Sequence, residues 1–178
     1  MNTPDLSPVS FRANVRKLPA RGMVLKLAAD DAQCLALAKA HGLLSVENWQ
    51  AELLVKTWKR DGISVTGRVK AEVTAACVVT LEPVSQHIDE AVEAVFVPET
   101  SRLADAGEGG EILLDPDGPD APETFTGSEI DVGALAEEFF ALALDPYPRA
   151  AKAPIAAEPE PLKRENPFAK LAKLKENP

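Results

Sequence analysis

The chain has 178 residues, of which 46% are hydrophobic and 26% charged, a composition typical of soluble globular domains. This length allows one domain with its own core, and the longest apolar run, FFALAL at residues 139–144, is too short to cross a membrane. The N-terminus has no secretory-signal pattern, so we expect a cytoplasmic protein.

The charge is divided into blocks. The formal net charge is −9, yet residues 1–97 are neutral, residues 98–145 carry −12 and residues 146–178 carry +3. The acidity therefore belongs to one segment of the chain, and the C-terminal end is a separate basic segment. A basic end on an acidic protein is compatible with a polyanionic partner, but charge alone does not distinguish this from a solvated surface.

The first half of the chain predicts short strands around one helix. Residues 9–15 and 22–28 alternate apolar and polar side chains, as a half-buried strand does. Between them and the next strand, the sequence DDAQCLALAKAHG predicts a helix that Asp30 or Asp31 caps and that Gly42 ends in the left-handed conformation.

Three further strands follow in a meander. Residues 51–59 and 63–81 are predicted to form a hairpin through a tight turn at Asp61–Gly62, where the glycine would accept a positive φ. The alternation in residues 63–81 is sustained, with a bend at Gly67 or near Ala75, and it places Val79 and Leu81 on the buried face. Residues 87–97 are the next strand. The fold class is therefore α+β, with a mainly antiparallel meander sheet and two to three helices.

The acidic segment is expected to be a long loop. Residues 98–128 lack periodicity and are rich in Asp, Glu, Gly and Pro, which indicates a mobile, disordered acidic loop within a single domain over residues 1–145. A helix then ends at Asp145, before Pro146, and Ser128 or Asp131 caps it. Its predicted apolar stripe consists of Val132, Leu135, Ala136, Phe139, Leu142 and Ala143.

The C-terminal residues 146–178 are predicted to be a proline-rich linker and a short basic amphipathic helix. Asn166 caps that helix, Pro167 takes its first position, and Phe168, Leu171 and Leu174 share one side. Three interpretations remain open: the helix packs on the protein's own sheet, the segment is a solubilising tail, or it recognises RNA or a ribosomal surface. In the last case the acidic loop could act as an internal competitor for the basic segment.

Residue patterns for catalysis are weak. The GEGG sequence at residues 107–110 has no strand before it and no Lys-Ser/Thr pair, so it is not a phosphate-binding loop. We interpret His41 and His87 as structural, and Cys77 as a small buried hydrophobe with a raised pKa. Glu137 and Glu138 are adjacent on a helix and point in different directions. We therefore expect no enzyme, no catalytic residues, no metal site and no cofactor.

Three blocks together carry a family resemblance. In order they are VTGRVKAEVTAACVVTLEPV (65–84), IDVGALAEEFFALALDPYP (130–148) and KRENPFAKLAKLK (163–175). This order resembles the YceD family, the large ribosomal RNA subunit accumulation proteins. Members of that family often have Cys-x-Arg-Cys where this chain has residues 77–80, and a second cysteine pair near Pro148. The metal site that those cysteines would form in relatives cannot form in the same way here.

The resemblance implies a non-catalytic ribosome-biogenesis factor that supports accumulation of 23S rRNA and maturation of the large subunit. Its expected partner is ribosomal RNA or a large-subunit ribosomal protein, without a membrane or a small-molecule substrate. The alternatives are a protein-interaction module that uses the Phe/Leu helix, and an unrecognised hydrolase or transferase. The candidate binding residues are Lys163, Arg164, Asn166, Pro167, Phe168, Lys170, Leu171 and Lys173 in the tail, and Arg12, Arg16, Arg68 and Lys70 on the outer strand face.

Overall fold

A computed structural model describes residues 6–101 and 122–151. The described residues form seven strands and two helices. In chain order these are β1 (Arg12–Asn14), β2 (Met23–Ala28), α1 (Asp31–Ala40), β3 (Ser45–Trp58), β4 (Gly62–Ala76), β5 (Pro83–Pro98), β6 (Glu123–Phe125), β7 (Glu129–Asp131) and α2 (Val132–Leu142).

A five-stranded sheet of order β2-β3-β4-β5-β6 forms the centre of the fold. The β2, β3, β4 and β5 strands pair antiparallel with their chain neighbours, and β6 pairs parallel with the end of β5. The α+β class and the antiparallel meander are therefore confirmed. The parallel strand was not predicted, because three residues carry too little alternation to indicate a strand.

A second sheet contains only β1 and β7, which pair antiparallel. The predicted strand at residues 9–15 is shorter than expected, since only three of its residues join this sheet. Val9, Ala13 and Val15 are nevertheless buried, as the alternation predicts. Asp131 ends β7 and caps α2, accepting hydrogen bonds from Ala134 N (2.9 Å) and from Phe11 N (2.9 Å).

The first helix has the predicted termini. Asp30 accepts a hydrogen bond from the Gln33 backbone (2.8 Å), and Gln33 Oε1 accepts one from the Asp30 backbone (3.0 Å), which completes a capping box. Gly42 follows the helix with a φ of 66°, so the prediction of a left-handed glycine at this end is confirmed.

The turn between β3 and β4 differs from the prediction. Trp58 pairs with Gly62 across a three-residue loop, and Lys59, not Gly62, has the positive φ (51°). Gly62 is the first residue of β4, where a Cβ would lie 2.7 Å from a Trp58 ring carbon. The glycine is therefore needed to leave room for the tryptophan, and the predicted positive φ at this position was wrong.

The two central strands also differ in length from their predicted bounds. Strand β3 begins six residues earlier than expected and contains an irregularity between Glu47 and Gln50, where Asn48 has a φ of 53°. Strand β4 ends at Ala76, so the predicted continuation through Val79 and Leu81 was wrong. Val79 and Leu81 are 41% and 77% exposed. Gly67 allows a close approach of β4 to β3, since a Cβ there would overlap the Glu52 carbonyl oxygen.

The core lies between the inner face of the sheet and the helices. The α1 helix packs on β3, and α2 packs on β4 and β5. The buried side of α2 differs from the predicted apolar stripe at the C-terminal end of the helix. There Phe140, which was not predicted, is fully buried, and Leu142, which was predicted, is 75% exposed. Gly133 lets the N-terminal segment cross α2 closely, because a Cβ there would overlap the Val9 carbonyl oxygen.

The predicted acidic loop and basic tail fall largely outside the described residues. Of the interval 98–128, residues 102–121 are not described, and Glu123–Phe125 form β6. Of the predicted linker and helix over residues 146–178, the described part ends at Ala151. Across residues 6–101 and 122–151, no helix is long and apolar enough to span a membrane.

Candidate nucleic-acid interface

The sheet face that the helices leave uncovered carries a row of charged side chains. The register aligns Lys26 of β2 with Glu52 of β3, and Glu52 with Arg68 of β4. One step along the strands, Lys70 of β4 lies beside Asp89 of β5. We call this surface the outer face. Side chains of β4 alternate between this face and the core as the sequence predicts, with Arg68 and Lys70 exposed and Val69 buried.

A groove of about 570 Å³ runs across this face and is called the basic groove below. Its lining residues are Lys26, Leu27, Gln50, Ala51, Glu52, Gly67, Arg68 and Lys70. The groove includes Gly67, where the β4 and β3 backbones approach closely. Lys26 was missed by the sequence analysis, because only the pairing register of β2 with β3 brings it to Arg68.

Carboxylates partly offset the positive charge of the basic groove. Arg68 donates from Nε to Asp89 Oδ1 (2.7 Å) and from Nη2 to the Asp89 backbone oxygen (3.1 Å). Lys70 Nζ lies 3.2 Å from Asp89 Oδ2, and Lys26 Nζ lies 3.2 Å from Glu52 Oε2. The hydrogen bond from Arg68, followed by that from Lys70, lowers the pKa of Asp89. Because these ion pairs are exposed, an incoming phosphate can compete for the cations.

The other candidate residues lie elsewhere. Arg12 belongs to β1 of the two-stranded sheet, where it is opposite Asp131, and Arg16 follows that strand. Neither residue belongs to the sheet that carries Arg68 and Lys70. The four candidate cations therefore do not lie together on one sheet. The tail candidates lie outside the described residues; these are Lys163, Arg164, Asn166, Pro167, Phe168, Lys170, Leu171 and Lys173.

Cys77 differs most from its prediction. The residue is fully buried, but its sulfur accepts hydrogen bonds from the backbone N–H groups of Val79, Thr80 and Ala150, each at 3.4 Å. The hydrogen bond from Ala150, followed by those from the Thr80 side chain and the Thr80 backbone, lowers the pKa of Cys77 to about 6. The expected raised pKa was therefore wrong. Burial alone favours the neutral thiol, but three N–H groups aimed at one sulfur favour the thiolate more strongly.

The Cys77 loop also joins two distant parts of the chain. Val78 N donates to Pro148 O (2.9 Å), and Ala150 N donates to Cys77 Sγ, so residues 77–80 and 148–150 are in contact. These are the two segments in which the resemblance places cysteine pairs. Only Cys77 among them is a thiol here, and no group of three or more His, Cys, Asp or Glu suited to a metal occurs in the described residues. This donor set does not fit a metal ion; hydrogen bonds join the segments instead.

Both residues of the Glu137–Glu138 pair are placed as the helix geometry predicts. Glu137 Oε1 lies 3.0 Å from His41 Nε2, at the C-terminal end of α1, and the His41 ring packs edge-on against Phe140 at 5.5 Å. Glu138 lines a separate groove beside Glu123. The two carboxylates therefore do not form a pair, and His41 has a structural contact with α2.

Comparison with known families gives one match. Residues 65–175 match the family described as "Large ribosomal RNA subunit accumulation protein YceD". No curated protein and no solved structure matches the chain. The matched interval begins in β4, includes β5 and α2, and extends through the predicted basic tail, so it covers more than half of the chain. The chain therefore belongs to the YceD family, whose name implies a role in the accumulation of the large ribosomal RNA subunit.

Proposed function

We propose that this protein acts without catalysis in large-subunit assembly, by binding ribosomal RNA or a ribosomal protein carried on it. The observation that supports this most directly is the extent of the family match. It spans residues 65–175 and so includes both Arg68 and Lys70 of the basic groove and the cationic tail. Two cationic surfaces within the family region suit a polyanionic partner.

The proposed contact has a fixed part and a tethered part. The fixed part is the basic groove, whose cations are held on β2 and β4, on either side of β3. The tethered part is the tail, with Lys163, Arg164, Lys170 and Lys173 as its phosphate contacts. Joining two weak contacts in one chain strengthens the overall binding, because the second contact forms at a high effective concentration.

The absence of catalysis is part of the proposal, and two contacts support it. Cys77 is enclosed by its own loop and by Ala150, which leaves its sulfur without access for a substrate. His41 is engaged with Glu137 at the junction of the two helices. A cytoplasmic location is proposed with the function, since ribosomal RNA matures there.

Sedimentation of a cell lysate through a sucrose gradient tests the assignment. We expect the protein to co-migrate with precursors of the large subunit, and we expect cells that lack it to accumulate less large-subunit RNA. A protein that remains only at the top of the gradient, with normal RNA levels in its absence, would contradict the proposal.

The salt dependence of RNA binding tests the tail. Each neutralised single-strand phosphate contributes about 0.7 to the slope of log affinity against log salt concentration. Replacing four tail cations with alanine should therefore reduce the slope by about two to three. The variant replaces Lys163, Arg164, Lys170 and Lys173. A control removes the same charge from exposed positions elsewhere, namely Lys17, Arg21, Lys39 and Lys56. Equal slopes for both variants would exclude the tail as the RNA contact.

A Phe168→Ala variant separates RNA binding from protein binding. If the tail contacts phosphates, this variant retains most of the co-sedimentation and the four-cation variant loses it. The reverse result would favour a groove on a ribosomal protein that accepts Phe168, Leu171 and Leu174.

A further inference from the structure

A second groove lies on the helix side of the sheet, and its lining is both apolar and acidic. It has a volume of about 410 Å³ and is bounded by the ends of β5, β6 and β7 and by the first half of α2. Its apolar surface consists of the partly exposed Phe125 and Ala134, whereas Phe96, Ile130 and Leu135 also line it but are buried. Four carboxylates surround them. We call this site the acidic groove and its carboxylates the rim; the rim residues are Glu99, Glu123, Glu129 and Glu138.

None of the four rim carboxylates has a cationic partner among the described residues, a property that they share with other surface carboxylates such as Glu72 and Glu93. Asp89 and Glu52 pair with cations of the basic groove, and Glu137 pairs with His41. Among residues 6–101 and 122–151, no ion pair or side-chain hydrogen bond involves a rim carboxylate. Arg12 lines a neighbouring cavity of about 450 Å³ that shares Glu129 and Asp131 with the groove.

Proximity within the rim adds to this unbalanced negative charge. Partial burial, and then the nearby charge of Glu138, raise the pKa of Glu123. A cation placed between these two carboxylates would relieve both effects, since it stabilises the charged form and replaces lost hydration. Asp131 is already engaged, because it caps α2 and accepts from Phe11 N. The free charge of the groove is therefore the rim.

The ligand that fits this lining is a basic segment with an apolar side. The chain's own residues 163–175 have this character: they contain Lys163, Arg164, Lys170, Lys173 and Lys175 against a single Glu165, with Phe168, Leu171 and Leu174 at helical spacing. The apolar side chains match the partly exposed Phe125 and Ala134, and the cations match the rim. Like many amphipathic segments, it would bury its apolar stripe and keep its charged ends at the rim.

The tether makes this segment the favoured occupant over a separate basic protein. The described chain ends at Ala151, twelve residues before Lys163. At about 3.1 Å per residue, an extended proline-rich linker reaches roughly 37 Å, comparable to the width of a domain this size. A short flexible tether gives an effective concentration on the order of 1 mM. A groove with a dissociation constant of about 0.1 mM would thus be about 90% occupied.

We propose that residues 163–175 bind in the acidic groove of the same molecule when RNA is absent, and leave it when they bind RNA. The acidic groove then competes with RNA for the same lysines and suppresses binding to non-cognate polyanions. This inference rests on the proposed function for its RNA-bound state, whereas the docked state stands independently of that function.

Zero-length carbodiimide cross-linking of the full-length protein tests the docked state. The reagent joins lysine amines to carboxylates only when they are in contact. We expect mass spectrometry to find links from Lys170 and Lys173 to Glu123, Glu129 or Glu138, in preference to the exposed outer-face carboxylates Glu72 and Glu93. Links distributed evenly over exposed carboxylates would overturn the proposal. A mixture of isotopically light and heavy protein identifies links between two molecules, and predominance of those links would also overturn it.

Neutralising the rim tests the competition. The Glu123→Gln/Glu138→Gln variant should lose the rim cross-links of Lys170 and Lys173 to Glu129, and it should bind RNA about tenfold more tightly, because the tail is no longer sequestered. The matched Asp61→Asn/Glu90→Gln variant removes the same charge from exposed positions outside the outer face and the rim, and it should retain those links. Equal gains in RNA affinity for both variants would attribute the effect to net charge and would overturn the competition.

The two measurements separate the possible failures. Rim cross-links without measurable RNA binding would contradict the proposed function and retain the docked tail. Tail-dependent RNA binding without rim cross-links would retain the function and remove the acidic groove from the mechanism.

Discussion

At the scale of single residues, Cys77 shows how backbone geometry can reverse an expectation from side-chain surroundings. The residue follows a strand of small and aliphatic side chains, and burial among these favours a neutral thiol. Three backbone N–H groups nevertheless point at the sulfur, one of them from Ala150. They stabilise the thiolate, so that the charged form is the one expected at neutral pH.

The lowered pKa of Cys77 predicts a pH-dependent stability. The folded pKa is about 6, whereas an unfolded cysteine titrates near about 8.5. Between these values the unfolded chain binds more protons than the folded one, so the contribution of Cys77 to stability should rise from pH 6 to pH 9 and be lost as pH falls through 6. Urea unfolding across this range measures it.

A Cys77→Ser variant provides the control, because its hydroxyl stays neutral over the whole range. We expect the difference in unfolding free energy between the two proteins to widen as pH rises. If the difference in unfolding free energy did not depend on pH, Cys77 would not be a thiolate in the folded protein. The second cysteine, Cys34, is replaced by alanine in both proteins so that only one thiol titrates.

Asp89 gives a second prediction at this scale, since one carboxylate holds both Arg68 and Lys70. An Asp89→Asn substitution should release both cations to a phosphate and raise RNA affinity about two- to fivefold, the range of a surface ion pair. Fluorescence anisotropy with a labelled RNA fragment measures the change. The matched Glu72→Gln variant lies on the same face and ion-pairs with no described residue, and we expect a smaller gain from it. Equal gains would contradict a local role for Asp89.

At the scale of secondary-structure elements, the N-terminal segment crosses the start of α2 in close contact. The Phe11 carbonyl accepts from Val132 N (3.0 Å), and Asp131 accepts from Phe11 N. Gly133 follows within the first turn, and its missing side chain leaves space for the Val9 backbone. The start of α2 is thus fixed by the first strand of the chain, which precedes it by more than a hundred residues.

A Gly133→Ala substitution distinguishes helix propensity from packing. Propensity alone predicts a stabilisation of about 1 kcal/mol, because glycine is a poor helix former. The new Cβ would overlap the backbone of Val9, so we expect instead a loss of about 2 kcal/mol, as for an overpacked core position. Thermal and denaturant unfolding measure whether the substitution stabilises or destabilises the protein.

Gly42→Ala is the companion substitution for that measurement. Gly42 has a φ of 66° and no neighbouring atom within 4 Å of a new Cβ, so its cost comes from backbone strain alone, about 1 kcal/mol. A stabilised Gly133→Ala protein would contradict the close crossing of the N-terminal segment over α2.

At the scale of the whole molecule, the two grooves carry different charge. The outer face holds the basic groove, and the helix side holds the acidic groove. A net charge of −9 conceals this division, just as it conceals the basic tail. Because the field near a surface depends on local charge, an acidic protein of this kind can still present a cationic site to nucleic acid.

The sequence alone determined those features that depend on neighbours along the chain. Alternation predicted β4 and the exposure of Arg68 and Lys70, and Asp30 and Gly42 predicted both ends of α1. Each of these depends on a few consecutive residues, through side-chain period or capping geometry. The three ordered motifs predicted the family, which the match over residues 65–175 confirms.

Only the tertiary structure decided the features that join residues far apart in sequence. They include the alignment of Lys26 with Glu52 and Arg68 across three strands. They also include the hydrogen bond from Ala150 to Cys77 and the approach of Glu123 to Glu138. Strand register and loop packing create these contacts, and neither is encoded in a local period. The pKa of Cys77 and the charge of each groove follow from such contacts, because electrostatic interactions depend on distance in space rather than on separation in sequence.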